Sequence, residues 1–393
     1  MLFVSILFCA WLQAGGKMAY WNVQRRGANF FNQVPTEEWF VAAKQVGIQF
    51  VRLAPDKWQS EQRDFLLGDA DAFERISAAD FQALKRTLDW AHAHDIKVVI
   101  TVLSLPGSRF KDNNHDQIDL RIWQKKEYHA QAAHFWKELA YLLKDHPAVV
   151  GYDILNEPHP ERASGVGDFR ELDVSAWYAS VKDSAADLNV FYQHVIQAIR
   201  EVDSKTPIIL ETGFWGTPCA ITYLTPATDP YLLYSFHMYE PYAYTCRRVN
   251  NGRYGYPGMV PIRLNDAEAE TDTSPPSLYW DKAMLQEFLS PITAWQEAFQ
   301  VPSSRILVGE FGCDRMAQGA ADYLGGLAQI FDVHGWHWAF YAFREDCWEG
   351  MDYELGPDKI PPKYWDAVEA RANLDQFRSD NPLFDVIRNA LKR

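Results

Sequence analysis

Eight short runs rich in β-branched and aromatic residues recur along the 393 residues, separated by longer segments of helical period, and this alternation restricts the chain to a parallel βα architecture. The runs fall at residues 27–31, 50–53, 97–103, 149–155, 208–211, 232–238, 305–310 and 336–343. The clearest helical segments are 36–45, 78–94, 124–144, 188–202, 278–299 and 320–333. Several runs are apolar almost throughout, as in 97–103, which suits strands covered on both faces. Eight repeats imply an α/β fold closed as a (β/α)8 barrel. An open doubly wound sheet is the competitor, but its glycine fingerprint is missing: Gly165 and Gly167 are followed by Arg170 where a third glycine would stand, and no strand precedes them. No linker or break in composition divides residues 17–393, so they read as one domain. Long loops at 104–120, 159–183 and 240–276 follow the third, fourth and sixth strands and would wall a cleft at the C-terminal end of the barrel.

Charge narrows the partners. A formal net charge of −14 with no Lys/Arg run argues against nucleic acid and anionic lipid. An aromatic content of 15% exceeds what one core needs and suits flat ligand faces. Residues 2–12 are apolar and precede small residues at 14–16, so 1–16 reads as a signal peptide and the protein as secreted or in the cell envelope, with the cytoplasm as the alternative. The run is too short to span a bilayer. Cleavage after Gly16 would remove Cys9 and leave Cys219, Cys246, Cys313 and Cys347, which allow three disulfide pairings or stand as thiols. No Cys-x-x-Cys or His-Glu-x-x-His spacing occurs, so no metal is expected. A monomer is expected. The acidic stretch 266–272 reads as a solvated loop.

Chemistry in such a barrel comes from the C-terminal ends of strands. Glu157 follows the fourth strand and Glu310 closes the seventh. A carboxylate there must be desolvated unless it meets a partner, so two on one rim are costly without a purpose. Opposed carboxylates are what glycoside hydrolysis requires: one protonated acid for the leaving oxygen and one ionised group facing the anomeric carbon. Arg52, at the end of the second strand, is a candidate for keeping one of them ionised. Glu211 also ends a strand and is the rival to the pair. Asp153, inside the fourth strand, reads as an anchor for an Arg or a backbone donor.

Arg52, Asn156-Glu157-Pro158 after an apolar strand, His237-x-Tyr239 and the Glu310 strand come in order on strands two, four, six and seven. In these residues the chain resembles glycoside hydrolase family 5, the cellulase-like retaining β-glycosidases, over about residues 27–356. The resemblance implies a (β/α)8 barrel and an endo-acting β-glycanase working by double displacement on an oligo- or polysaccharide, without a cofactor. It implies Glu157 as general acid and base, Glu310 as nucleophile, Asn156 on the sugar 2-hydroxyl, Tyr239 and Arg52 holding Glu310, and His237 beside the pair. Two positions depart from the family: Leu103 or Ser104 stands where a His is common, and Tyr341 stands where a Trp usually floors the sugar site. Trp338 is the other register for that floor, and strand alternation allows only one of the two to face inward. Trp215, after the fifth strand, is placed to stack on a sugar, while Tyr242, Tyr244 and Trp348 could extend the cleft. The departures keep two alternatives open: an exo-acting or glycolipid-directed β-glycosidase, and a catalytically weak carbohydrate-binding barrel.

Overall fold

The computed structural model describes residues 16–393 apart from 168, 172, 263–275, 346–349 and 371. The strands are β1 (Arg26–Phe30), β2 (Phe50–Leu53), β3 (Lys97–Ile100), β4 (Val149–Asp153), β5 (Ile208–Glu211), β6 (Leu232–Met238), β7 (Gly258–Pro261), β8 (Ser277–Trp280), β9 (Ile306–Phe311) and β10 (His337–Phe340). Eight of them close into a parallel barrel in the order β1-β10-β9-β6-β5-β4-β3-β2, while β7 and β8 form a separate antiparallel pair. The barrel expected from the repeats is therefore the fold. Helices alternate with the strands, and their ends follow local chemistry: the Thr36 side chain caps Glu37–Val46 by accepting from Trp39 N, and Gly47 ends it with φ 101°, a conformation that costs a side chain but not a glycine.

One departure from the expected elements has local causes. The helix expected over 278–299 is instead β8 followed by Lys282–Phe288 and Ser290–Phe299. Pro291 lacks an N–H and sits in the first turn of the second helix, where none is needed. Met259 and Tyr279 lie opposite each other in the β7–β8 pair, so local β pairing overrides the helical period there. The third, fourth and eighth strands also stop short of their expected ends, at Ile100, Asp153 and Phe340.

Apolar side chains fill two spaces. The larger lies between barrel and helices, where Trp338 packs edge-on to Phe311 with ring centroids 5.6 Å apart. The smaller lies inside the barrel and contains Phe50, Val99, Val150, Ile209, Leu233, Leu307 and Ala339. Met18 and Trp21, from the short helix Gly16–Asn22, belong to this inner cluster, and Trp21 Nε1 donates to Val150 O at 3.0 Å. Cys219, Cys246 and Cys313 carry thiols, so the disulfide alternative does not hold for them; Cys9 and Cys347 lie outside the described residues, as do residues 1–15, Trp348 and the acidic stretch 266–272. Among the described residues no helix is long and apolar enough to cross a membrane.

Candidate active site

Above the inner apolar cluster the barrel turns polar. Arg52, fully buried, fans out to three acids: Nε meets Asp153 at 2.6 Å, one Nη meets Glu310 at 2.8 Å, and the other meets Glu211 and, at 2.8 Å, Asn156 Oδ1. The expected role of Asp153 as an anchor for an Arg is what this contact provides. Glu211, read from sequence as a rival to the acid pair, lies beneath it: its Oε2 accepts from Glu157 N at 2.8 Å and its Oε1 from His237 Nε2 at 3.2 Å. Burial opposes its charge, yet His237 and Arg52 outweigh burial and hold its carboxyl at about 2. For Asp153 burial wins, helped by the neighbouring Glu211 charge, and its carboxyl is pushed well up.

Glu310 reaches the barrel interior through a bulge. Phe236 pairs with Val308 but His237 pairs with Glu310, and on the other side Trp338 pairs with Val308 but Phe340 with Phe311. Gly309 is thus the extra residue on β9. Simple alternation from Leu307 would point Gly309 inward and Glu310 outward, and the bulge brings Glu310 in as well. Asn29 holds this point, donating to Gly309 O at 2.9 Å while its Oδ1 accepts from Arg52 at 3.2 Å. Tyr239 donates to Glu310 Oε2 at 2.7 Å. Two donors, one on each oxygen, suit a carboxylate.

His237 joins the carboxyl groups. Its Nδ1 lies 3.0 Å from Glu157 Oε1 and 3.9 Å from Glu310 Oε2. Burial works against its charge, but Glu211 and Glu310 outweigh it and raise the imidazole well above its ordinary value, so both ring nitrogens donate. Space for the ring comes from glycine: a Cβ on Gly216 would sit 2.9 Å from the His237 ring, and one on Gly309 3.0 Å from Nε2. Glu157 is raised above the ordinary carboxylate range, first by burial and then by the Glu310 charge, against the pull of His237. One oxygen each of Glu157 and Glu310 and a His237 nitrogen lie within 4.8 Å of one another.

These groups open into a cavity of about 630 Å³ whose lining includes Asn156, Glu157, His159, Trp215, Tyr239, Glu310 and Tyr341. Trp215 and Tyr242 reach it partly exposed, whereas Tyr244, expected at the rim, is fully buried against Tyr256 and Tyr323. Of the two registers considered for the floor, Tyr341 lines the cavity, and Trp338 lies behind the barrel wall, fully buried. Tyr341 donates to Glu345 Oε2 at 2.7 Å; Glu345 also accepts from Phe31 N and from Asn32 at 2.7 Å, and burial pushes its carboxyl to about 8. Leu103 packs with Phe31, Ala54, Phe110 and Tyr341, so this part of the wall is apolar. Ser104 is occupied elsewhere: its N–H donates to Asp56 at 2.7 Å and its Oγ accepts from Phe110 N at 3.0 Å. Sequence reasoning missed Asn29, Asp56, His159 and Glu345. Asn29 alone left a trace, as a polar residue inside a barrel strand.

Fold and site together define a glycoside-cleaving barrel, and known proteins agree. The family description "Cellulase (glycosyl hydrolase family 5)" matches residues 13–346, and the chain belongs to that family and is a glycosyl hydrolase. Endoglucanase C of Acetivibrio thermocellus is 22% identical over 368 residues, covering 89% of this chain and 94% of its own. An endoglycoceramidase of Cyanea nozakii is 34% identical over 112 residues, 28% of this chain and 21% of its own. Among solved structures, endoglucanase Cel5A of Thermotoga maritima superposes with a TM-score of 0.61 at 19% identity, covering 96% of this chain and 100% of its own.

Proposed function

We propose that the protein is an endo-acting β-glucanase that cleaves by double displacement, with Glu310 as nucleophile and Glu157 as general acid and then base. The observation that carries this reading is the approach of the two carboxyl groups, with oxygens within 4.8 Å. Retaining enzymes hold the pair about 5–5.5 Å apart, whereas inverting ones need roughly 6.5–9.5 Å to admit a water between base and sugar. The environments of the two groups support these roles. Glu157, raised by burial, keeps the proton that the leaving oxygen needs. Glu310 takes donors from Arg52 and Tyr239 on its two oxygens, faces the anomeric carbon and forms the glycosyl ester. Once the leaving group has taken the proton from Glu157, the same carboxylate draws a proton from water, which attacks the anomeric carbon and restores Glu310.

Asn156 Oδ1 accepts from Arg52, so its NH2 is the end available to the sugar 2-hydroxyl. Trp215 and Tyr341 offer ring faces to the sugars. The apolar run at residues 2–12 supports action outside the cytoplasm.

A second reading, a glycolipid-directed β-glycosidase, is favoured by the apolar wall of Phe31, Leu103, Phe110 and Tyr341 and by the endoglycoceramidase match. One experiment separates the two. The purified protein and its Glu310→Ala variant are incubated with soluble β-glucans, mannans, xylans and a glycosylceramide, and new reducing ends and product lengths are assayed. Mixed oligomers from glucan with the unaltered protein alone are the expected result; release confined to glycosylceramide would replace the first reading with the second, and no release from any substrate would count against both.

A further inference from the structure

Two turns from different strands meet beside Glu157. One follows β4 and carries Pro158 and His159; the other follows β5 and carries Phe214 and Trp215. Trp215 N donates to Pro158 O at 3.3 Å, and Phe214 N to Glu161 Oε2 at 3.2 Å. The His159 ring lies flat on Trp215, centroids 4.0 Å apart and planes 11° from parallel. All three of Glu157, Phe214 and Trp215 sit in the left-handed region, with φ of 51°, 53° and 61°, which costs a side-chain-bearing residue about 1–2 kcal/mol. Something must hold them there. For Glu157 the restraints are polar: its N–H is taken by Glu211, and its C=O accepts from His159 Nδ1 at 2.8 Å.

We propose that His159 is a positioning residue for the acid/base, its Nδ1–H fixing the Glu157 peptide and its ring face tying that peptide to Trp215 at the cavity wall. The inference rests on the reading of Glu157 as acid and base. A carbonyl acceptor requires the proton on Nδ1, and burial lowers the imidazole to about 4, so the same neutral tautomer serves across neutral pH. The Glu157 carboxyl rides on the peptide that His159 grips. Loss of the N–H leaves the carbonyl without that donor and lets the left-handed turn relax, which moves the carboxyl away from His237 and from the leaving oxygen. An error of about 1 Å in such a group costs on the order of a hundredfold in rate.

Two variants divide the contact. His159→Phe keeps a ring for Trp215 and removes the N–H; Trp215→Ala keeps the N–H and removes the stack. The readout is kcat/KM, which reports glycosylation alone, on phenyl β-cellobioside, whose leaving group needs a proton, and on 2,4-dinitrophenyl β-cellobioside, whose leaving group departs as a stable phenolate. His159→Phe is expected to lose roughly tenfold to a hundredfold on the phenyl substrate and about twofold or less on the dinitrophenyl one. Equal loss on both, or none on the phenyl substrate, overturns the proposal. A crystal structure of His159→Phe supplies a readout independent of turnover: the Glu157 carboxyl is expected off its 3.0 Å contact with His237, and an unmoved carboxyl overturns the proposal as well. Should the unaltered protein cleave neither glycoside, it is the glucanase reading that fails, since the dinitrophenyl leaving group needs no acid, and the crystal structure still decides whether His159 sets the peptide.

Discussion

The barrel interior has two halves built from the same strands. Low in the barrel the inward positions are Phe50, Ile209 and Ala339; two residues further along they are Arg52, Glu211 and Tyr341. The lower half is dry and apolar, held by packing. In the upper half a buried guanidinium and a buried imidazole are surrounded by four carboxyl groups, each placed by its donors. Such a cluster is an expensive way to stabilise a barrel, because each buried charge must recover its lost hydration from its partners. Stability belongs to the lower layer, chemistry to the upper, and one strand step separates them.

Substitutions can break that contrast. Glu310→Ala is expected to cost roughly 10⁶ in kcat, and Glu157→Ala about 10²–10⁴ on glycosides with poor leaving groups, both with melting curves close to the parent. Arg52→Met and Phe50→Ala form the sharpest pair. Each is expected to destabilise by ~3–5 kcal/mol in urea unfolding, the first by stranding buried carboxylates and the second by opening a cavity. Only Arg52→Met should also abolish turnover in the folded fraction. Equal activity in the two variants would erase the division between layers.

Titration probes the upper layer and the turn beside it. Glu211, held at about 2 against an ordinary 4.5, contributes stability above the ordinary value that is lost as pH falls through 2. Glu161, buried and pushed to about 8, contributes in the other direction: its stability is full below 4.5 and is lost as pH rises through 8. Melting temperature against pH should therefore flatten on the acid side in Glu211→Gln and between about 4.5 and 8 in Glu161→Gln. The smallest effect is expected from Trp215→Ala. Loss of one stacking face, ~0.5–1.5 kcal/mol, should raise KM about twofold to tenfold.

Strand-end position was enough to find Glu157, Glu310 and Arg52, because a polar residue closing an apolar run has few reasons to be there, whereas His237 and Tyr239 came from the family resemblance. Glu211 met the same test as a rival to the pair, and the structure places it under the acid. Local pattern could not reveal the bulge at Gly309, which is a property of three neighbouring strands. Nor could it choose between Trp338 and Tyr341, since a one-residue slip in register exchanges them. Glu345 lies beyond any strand and touches Phe31 across 314 residues of chain. The exposure of Tyr244 was misjudged for a similar reason: its partners Tyr256 and Tyr323 come from elsewhere in the chain.

Trapping of the covalent intermediate tests the central chemistry most directly. Incubation with 2,4-dinitrophenyl 2-deoxy-2-fluoro-β-cellobioside, whose fluorine slows hydrolysis of the ester, followed by peptic digestion and mass spectrometry, should find the sugar on the peptide containing Glu310. A label on Glu157 or Glu211 instead, or sustained turnover of unfluorinated substrate with inversion at the anomeric carbon, would contradict the assignment.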